Sequence, residues 1–167
     1  MPTRPIYPDD TAVSLSDDLW FPAVDPTRSP TSDQNIRVSG AQISHAIGRT
    51  VDLFYVIDGG GSTITTGVKG DMQVDIALTI QSATLLADQS GSVVVNIWKD
   101  TYANYPPTVA DKITASAPPT ISSATKSTDS TLTGWTTGIS AGNTLRFNVD
   151  SVTTITRVTL ILKCVTV

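Results

Sequence analysis

The residue types best suited to binding chemistry lie in one stretch, "VVVNIWKDTYANYPPTVADKI", Val93 to Ile113. An alternating apolar run ends there in Trp98, Tyr102 and Tyr105, with Asp100 and Asn104 between them. Aromatic rings stack on the apolar faces of sugars, and amide groups bind sugar hydroxyls, so Trp98, Tyr102, Asn104 and Tyr105 form a candidate glycan site. The same spacing has a structural reading. A Trp that follows Val95 and Ile97 at a strand end commonly folds over the sheet edge to close a core or meet a neighbouring subunit. Tyr105 before Pro106 is held extended, as a clamp on a long loop would be. The spacing favours this structural closure, with direct glycan contact as the alternative.

No other group assembles into a reactive centre. His45 is the only histidine, and it sits beside Ile43 and Ile47 without the hydrogen-bonded partner that acid–base catalysis needs. The pairs Asp9–Asp10 and Asp17–Asp18 are sequence neighbours that point apart into solvent, which leaves them equivalent instead of splitting them into acid and base. "GGGSTITTGVKG" departs from a phosphate loop: five residues separate Gly61 from Gly67, Val68 intervenes before Lys69, and no Ser or Thr follows that lysine. It reads as a turn that needs positive φ. Asp88, Asp100, Asp111 and Asp129 lack the alternating spacing of a calcium loop and are expected to make local turns. Cys164 stands alone, without a disulfide or zinc partner. The expectation is a protein that is not an enzyme, with no catalytic residue, metal or cofactor.

The elements that must position the aromatic stretch follow from composition and period. All 15 acidic residues of this 167-residue chain are aspartates. Lacking glutamate while rich in Thr, Ser, Val and Gly, the sequence favours strands and turns over helices. A net charge of −4 argues against nucleic acid or an anionic membrane as partner. No apolar run is long enough to span a bilayer, and the start "MPTRPIYPDD" lacks a signal-peptide layout, so neither membrane insertion nor secretion is expected.

Residues 1–50 read as an extended arm, because prolines at 2, 5, 8, 22, 26 and 30 interrupt regular structure. It carries two apolar hooks: Leu19, Trp20, Phe21 and Val24 in "DDLWFPAVD", and Ile43 and Ile47 on a short helix capped by Ser39 and ended by Gly48. From 51 to 167 the apolar period is two. "VDLFYVI" and "DMQVDIALTI" read as strands, and the sets Val93, Val95, Ile97 and Leu145, Phe147, Val149 mark two more. In "ITRVTLILKCVTV", Leu160, Ile161 and Leu162 are apolar on both faces, as in a central strand or a subunit border. The segment from Lys99 to Thr133 reads as an ordered connection anchored by Ile113, Ile121 and Leu132, with one helical turn at "VADKI". The expected fold is all-β: an antiparallel β-sandwich, jelly-roll-like, with an extended N-terminal arm.

The segments "GSVVVNIWKDTYANYPPT", "STLTGWTTGISAGNTLRFNVDS" and "ITRVTLIL" resemble a C-terminal module of fibre and appendage proteins of tailed-bacteriophage virions, and "DDLWFPAVDPTRSPTSDQNIRVSGAQI" resembles the anchoring segment that precedes many phage fibres. The resemblance implies a homotrimer, assembled in the host cytoplasm. Its N-terminal arm would dock into other virion proteins, whether tail, portal-proximal or capsid, and its sandwich would be displayed outward, where it can touch host surface polysaccharide. The chain has no heptads or β-helix repeats between arm and module, which points to a short appendage and not a long fibre. A capsid decoration protein that cements the head without binding a receptor is the alternative.

Overall fold

The computed structural model describes residues 48–167, and Arg49–Val167 form one compact unit. The arm and its hooks, Leu19, Trp20, Phe21, Val24, Ile43 and Ile47, lie outside the described residues, as do His45 and both aspartate pairs. Seven strands follow in order: β1 (Thr50–Asp58), β2 (Gly67–Val74), β3 (Leu78–Thr101), β4 (Thr120–Asp129), β5 (Gly138–Ile139), β6 (Asn143–Thr153) and β7 (Arg157–Thr166). Short 3-10 turns at Tyr102–Asn104 and Val109–Asp111 are the only helical segments among the described residues. No helix among those residues is long and apolar enough to cross a membrane.

All pairings are antiparallel, in the order β1-β7-β3-β6-β2, with β4 and β5 also on β3. The 24-residue β3 organises the molecule. Its first half, Leu78 to Ala87, pairs with β7, and its second half, Ser92 to Thr101, pairs with β6. Where β3 changes partner the sheet curls into a half-barrel. The curl brings the two ends of the strand order together: Tyr55 of β1 stacks on Phe147 of β6 with ring centroids 4.0 Å apart, and its hydroxyl donates to the Lys69 carbonyl of β2 at 2.8 Å. The all-β antiparallel class expected from the period-two pattern is therefore what the structure has. Its facing layers are continuous through β3 instead of being separate sheets.

The interior is one apolar cluster. Leu78, Ile80 and Leu85 from the first half of β3 join Val158, Leu160, Leu162 and Cys164 of β7; Val93, Val95 and Ile97 join Leu145, Phe147 and Val149. Burying each such large side chain contributes about 1.5–3 kcal/mol. The doubly apolar β7 sits between β1 and β3, as a central strand should.

Two boundaries differ from the sequence reading. "DMQVDIALTI" is two strands and not one, because the chain bends at Asp75–Ala77 and leaves Ile76 exposed between buried Val74 and Leu78. The Val74 and Ala77 carbonyls at this bend accept from Gly142 and Val167. The connection from Lys99 to Thr133 contains β4, a polar strand whose pairing with β3 is interrupted by bulges. Its only buried residue is Ile121, so no alternating apolar signal announces it. The remaining anchors behave as expected: Ile113 and Leu132 are buried, and Val109–Asp111 makes the single turn, closed by a capping box between Thr108 and Asp111.

Candidate functional site: a tyrosine-walled groove beside an Asp–Arg pair

Directly paired residues share a face of a sheet. Arg146 lies between Leu145 and Phe147, both in the core, so its side chain is on the outer face. Its partners Asp71 on β2 and Trp98 on β3 stand there with it, and Lys112 extends the row through an isolated bridge to Trp98. Trp98 therefore does not close the interior. The period of two that buries Val95 and Ile97 turns Trp98 to the opposite side, where it is half-buried and its indole Nε1 is enclosed without a partner.

The chain beyond β3 folds back onto this row. The Tyr105 hydroxyl donates to Asp71 Oδ2 at 2.8 Å, and the Arg146 guanidinium sits 5.5 Å from the Tyr105 ring centroid. Arg146 commits every nitrogen: Nε donates to Asp71 Oδ1 at 2.7 Å, Nη2 to Asp71 Oδ2 at 2.9 Å and Nη1 to the Pro107 carbonyl at 3.3 Å. Hydrogen bonding from Arg146, reinforced by Tyr105, holds the Asp71 carboxyl below its ordinary value, against the opposing effect of partial burial. The same carboxylate raises Arg146. Asp71, Arg146 and Tyr105 thus form a latch that pins the elbow to the outer face. Deeper under the elbow, Thr114 Oγ1 donates to Asn96 Oδ1 and Asn96 Nδ2 donates to Asp150, which satisfies a buried amide.

Beside the latch an open groove of about 410 Å³ is lined by Asp71, Met72, Gln73, Tyr102, Tyr105 and Thr144. Of the four residues singled out from sequence, Tyr102 and Tyr105 line it, 70% and 50% exposed. Trp98 and Asn104 do not; Asn104 Nδ2 instead bonds Asp100 Oδ1 at 3.2 Å and stiffens the turn. Sequence reasoning missed Asp71, Gln73, Thr144 and Arg146, which lie on strands distant in the chain. One signal was legible: an arginine on the polar face of β6 needs a counter-charge, but period alone cannot say which strand supplies it.

The other candidate groups serve the fold, but not all of them locally: Asp88 and Asp100 lie on β3 and Asp129 ends β4, and Asp88 reaches the β6–β7 turn 68 residues away instead of making a local turn. Asp88 accepts from the Thr156 and Arg157 backbones, Asp129 from Thr131 and Leu132, Asp111 from Thr108 and Asp100 from Thr101. No cluster of three metal-ligating side chains occurs among the described residues. In "GGGSTITTGVKG", Gly60 and Gly61 take φ of +66° and +85°, and the Gly60 amide donates to Asp58. Cys164 is buried, and burial pushes its thiol up to about 11, so it is no nucleophile.

No family model matches this chain, and no curated protein matches it. Among solved structures it has a weak likeness to a chain in the structure of infectious bursal disease virus Gx strain, with 11% identity and a TM-score of 0.24. The match covers 89% of this chain and 46% of that one, so this chain spans under half of that chain's length. A likeness at that level carries no argument about function.

Proposed function

We propose that this protein is a non-catalytic structural component of a tailed-phage virion, a short tail or head appendage built as a homotrimer. Residues 1–50 anchor it to neighbouring virion proteins, and the curled sheet is displayed outward, with the tyrosine-walled groove in contact with host surface polysaccharide. The phage affiliation rests on the segments of sequence that resemble fibre and appendage proteins. The observation that carries an assembly role is the outer face of β1, β7 and β3. There Phe54, 57% exposed, stands opposite half-buried Ile161, and Val56, 54% exposed, is one strand removed from exposed Leu86, with Thr159 between them. Contiguous apolar side chains on an exposed sheet face are costly to leave in water and mark a protein contact.

The anchoring part of the reading is tested in particles. An extended segment orders at a cost of about 1–2 kcal/mol per residue, so its hooks must be buried in a partner to hold it. Deleting residues 1–48 is expected to leave a soluble β-rich domain that no longer joins virions, measured by copy number in purified particles. Incorporation at normal copy number would move the anchor onto the sheet itself, as a cementing decoration protein requires.

A further inference from the structure

We infer that the groove lined by Asp71, Met72, Gln73, Tyr102, Tyr105 and Thr144 is a subsite for a neutral saccharide, a hexose or deoxyhexose unit without carboxylate, sulfate or phosphate. The inference rests on the glycan-contact reading and adds the ligand class. Two features of the groove decide it, charge and order.

Charge comes first. An acidic sugar is recognised by an uncommitted cation, usually an arginine fork facing the ligand. The arginine beside this groove is already spent: both its terminal nitrogens and Nε donate to Asp71 or to the Pro107 carbonyl. Asp71 is the only ionised group in the lining, and Asp75 adds a second carboxylate next door, bonded by Gln73 Nε2 at 3.1 Å. Arg146 balances the Asp71 charge, and no lysine or arginine lines the groove, so an anionic ligand would find no partner cation there, with the Asp75 carboxylate beside it.

Order supports the same class. Neutral sugars bind weakly through an apolar ring face and several hydroxyls, so a site for them must be rigid before the ligand arrives. Tyr105 is held by Asp71 and lies under the Arg146 guanidinium, which fixes its ring as a wall without using that face for the core. Tyr102, 70% exposed, offers a second ring with little else to do, whereas Met72, paired with core Leu145, turns its side chain to the interior and borders the groove only through its position on β2. Around them stand hydroxyl partners: the Gln73 carbonyl, since its amide nitrogen is committed to Asp75, the Tyr102 hydroxyl and the outward edge of Asp71. The groove's 410 Å³ falls in the lower part of the range for small-ligand sites.

The test uses the full chain on an array of neutral hexose and deoxyhexose oligosaccharides printed beside uronic, sialylated and sulfated ones, followed by calorimetric titration of the best neutral oligosaccharide. Neutral glycans are expected to bind, and Tyr102→Ala is expected to weaken them about tenfold, the loss of one aromatic contact. Its thermal melt should match wild type, because the removed ring is mostly in solvent. Binding confined to acidic glycans overturns the neutral class while leaving glycan contact standing. Binding to no glycan overturns both, and neutral binding undiminished in Tyr102→Ala removes the ligand from this groove.

Discussion

Asp71 shows how much one carboxylate can organise. It receives two hydrogen bonds from Arg146 and one from Tyr105, and its partners come from β6 and the elbow, 75 and 34 residues away in sequence. Asp71→Asn keeps the shape but removes the charge, leaving the partly buried guanidinium without its counter-ion. Charge-assisted bonds of this kind contribute about 1.5–3 kcal/mol, so the variant should melt earlier by a corresponding amount at neutral pH. The pH dependence has a definite sign. Folding lowers the Asp71 pKa from its ordinary 3.8, so the contribution is fully present above about that pH and disappears as pH falls through the lower folded value. The gap between wild-type and Asp71→Asn melting temperatures should accordingly narrow on acidification below about pH 4. A gap that is constant with pH, or that widens in acid, would contradict the latch.

At the scale of elements, β3 is the strand shared by both halves of the half-barrel, and its register against β4 shifts on both sides of Gly91. A Cβ there would collide with the Thr153 carbonyl and the Thr154 hydroxyl and come within 2.8 Å of Ile155 Cγ1. The first of these is backbone at the end of β6 and cannot swing aside, so the close approach of β3 to the β6–β7 turn depends on glycine. Gly91→Ala is expected to cost about 1–3 kcal/mol through overpacking, seen as an earlier denaturant midpoint with an unchanged slope. Gly138→Ala is the control: a Cβ at that position meets nothing within 4 Å, and its midpoint should stay near wild type. Equal effects from the two would mean that helix-independent glycine entropy, and not packing, governs this region.

For the whole molecule the decisive feature is the apolar outer face of β1, β7 and β3, which is exposed within the unit Arg49–Val167. Register sets Phe54 opposite Ile161, Val56 opposite Thr159 and Thr159 opposite Leu86, with Asp52–Lys163 and Asp58–Arg157 pairs bordering the apolar rows. An apolar strip between charged borders suits a subunit contact repeated around an axis. The purified chain should scatter light as a trimer, and Phe54→Asp with Val56→Asp should convert it to a monomer while leaving its far-ultraviolet β signature intact. Those side chains lie outside the interior cluster, so dissociation cannot be blamed on unfolding. A wild-type chain that is monomeric at micromolar concentration, or a double variant that stays trimeric, would remove this face from the assembly.

The sequence by itself determined the class of fold, because strand burial is written locally in alternating residues. Val93, Val95 and Ile97, then Leu145, Phe147 and Val149, occupy the core where the period of two puts them, and β7, with Val158, Leu160, Leu162 and Cys164 inward, sits centrally between β1 and β3. Local chemistry was legible in Asp100, Asp111 and Asp129 and in the glycine turn after β1, whose partners lie one to three residues away, but not in Asp88, whose partners Thr156 and Arg157 come from the β6–β7 turn. Tertiary structure decided the rest. β4 exists because β3 offers a free edge for backbone pairing, which polar side chains do not announce. Trp98 belongs to the outer face because the alternation that turns Ile97 inward turns its neighbours outward, where the elbow, held by the Tyr105–Asp71 contact, half-buries it. The groove joins residues from β2, β6 and the elbow that share no local pattern. Their convergence comes from the pairing of β2 with β6 and from the elbow beyond β3 folding back onto them, a long-range geometry that local residue patterns do not specify.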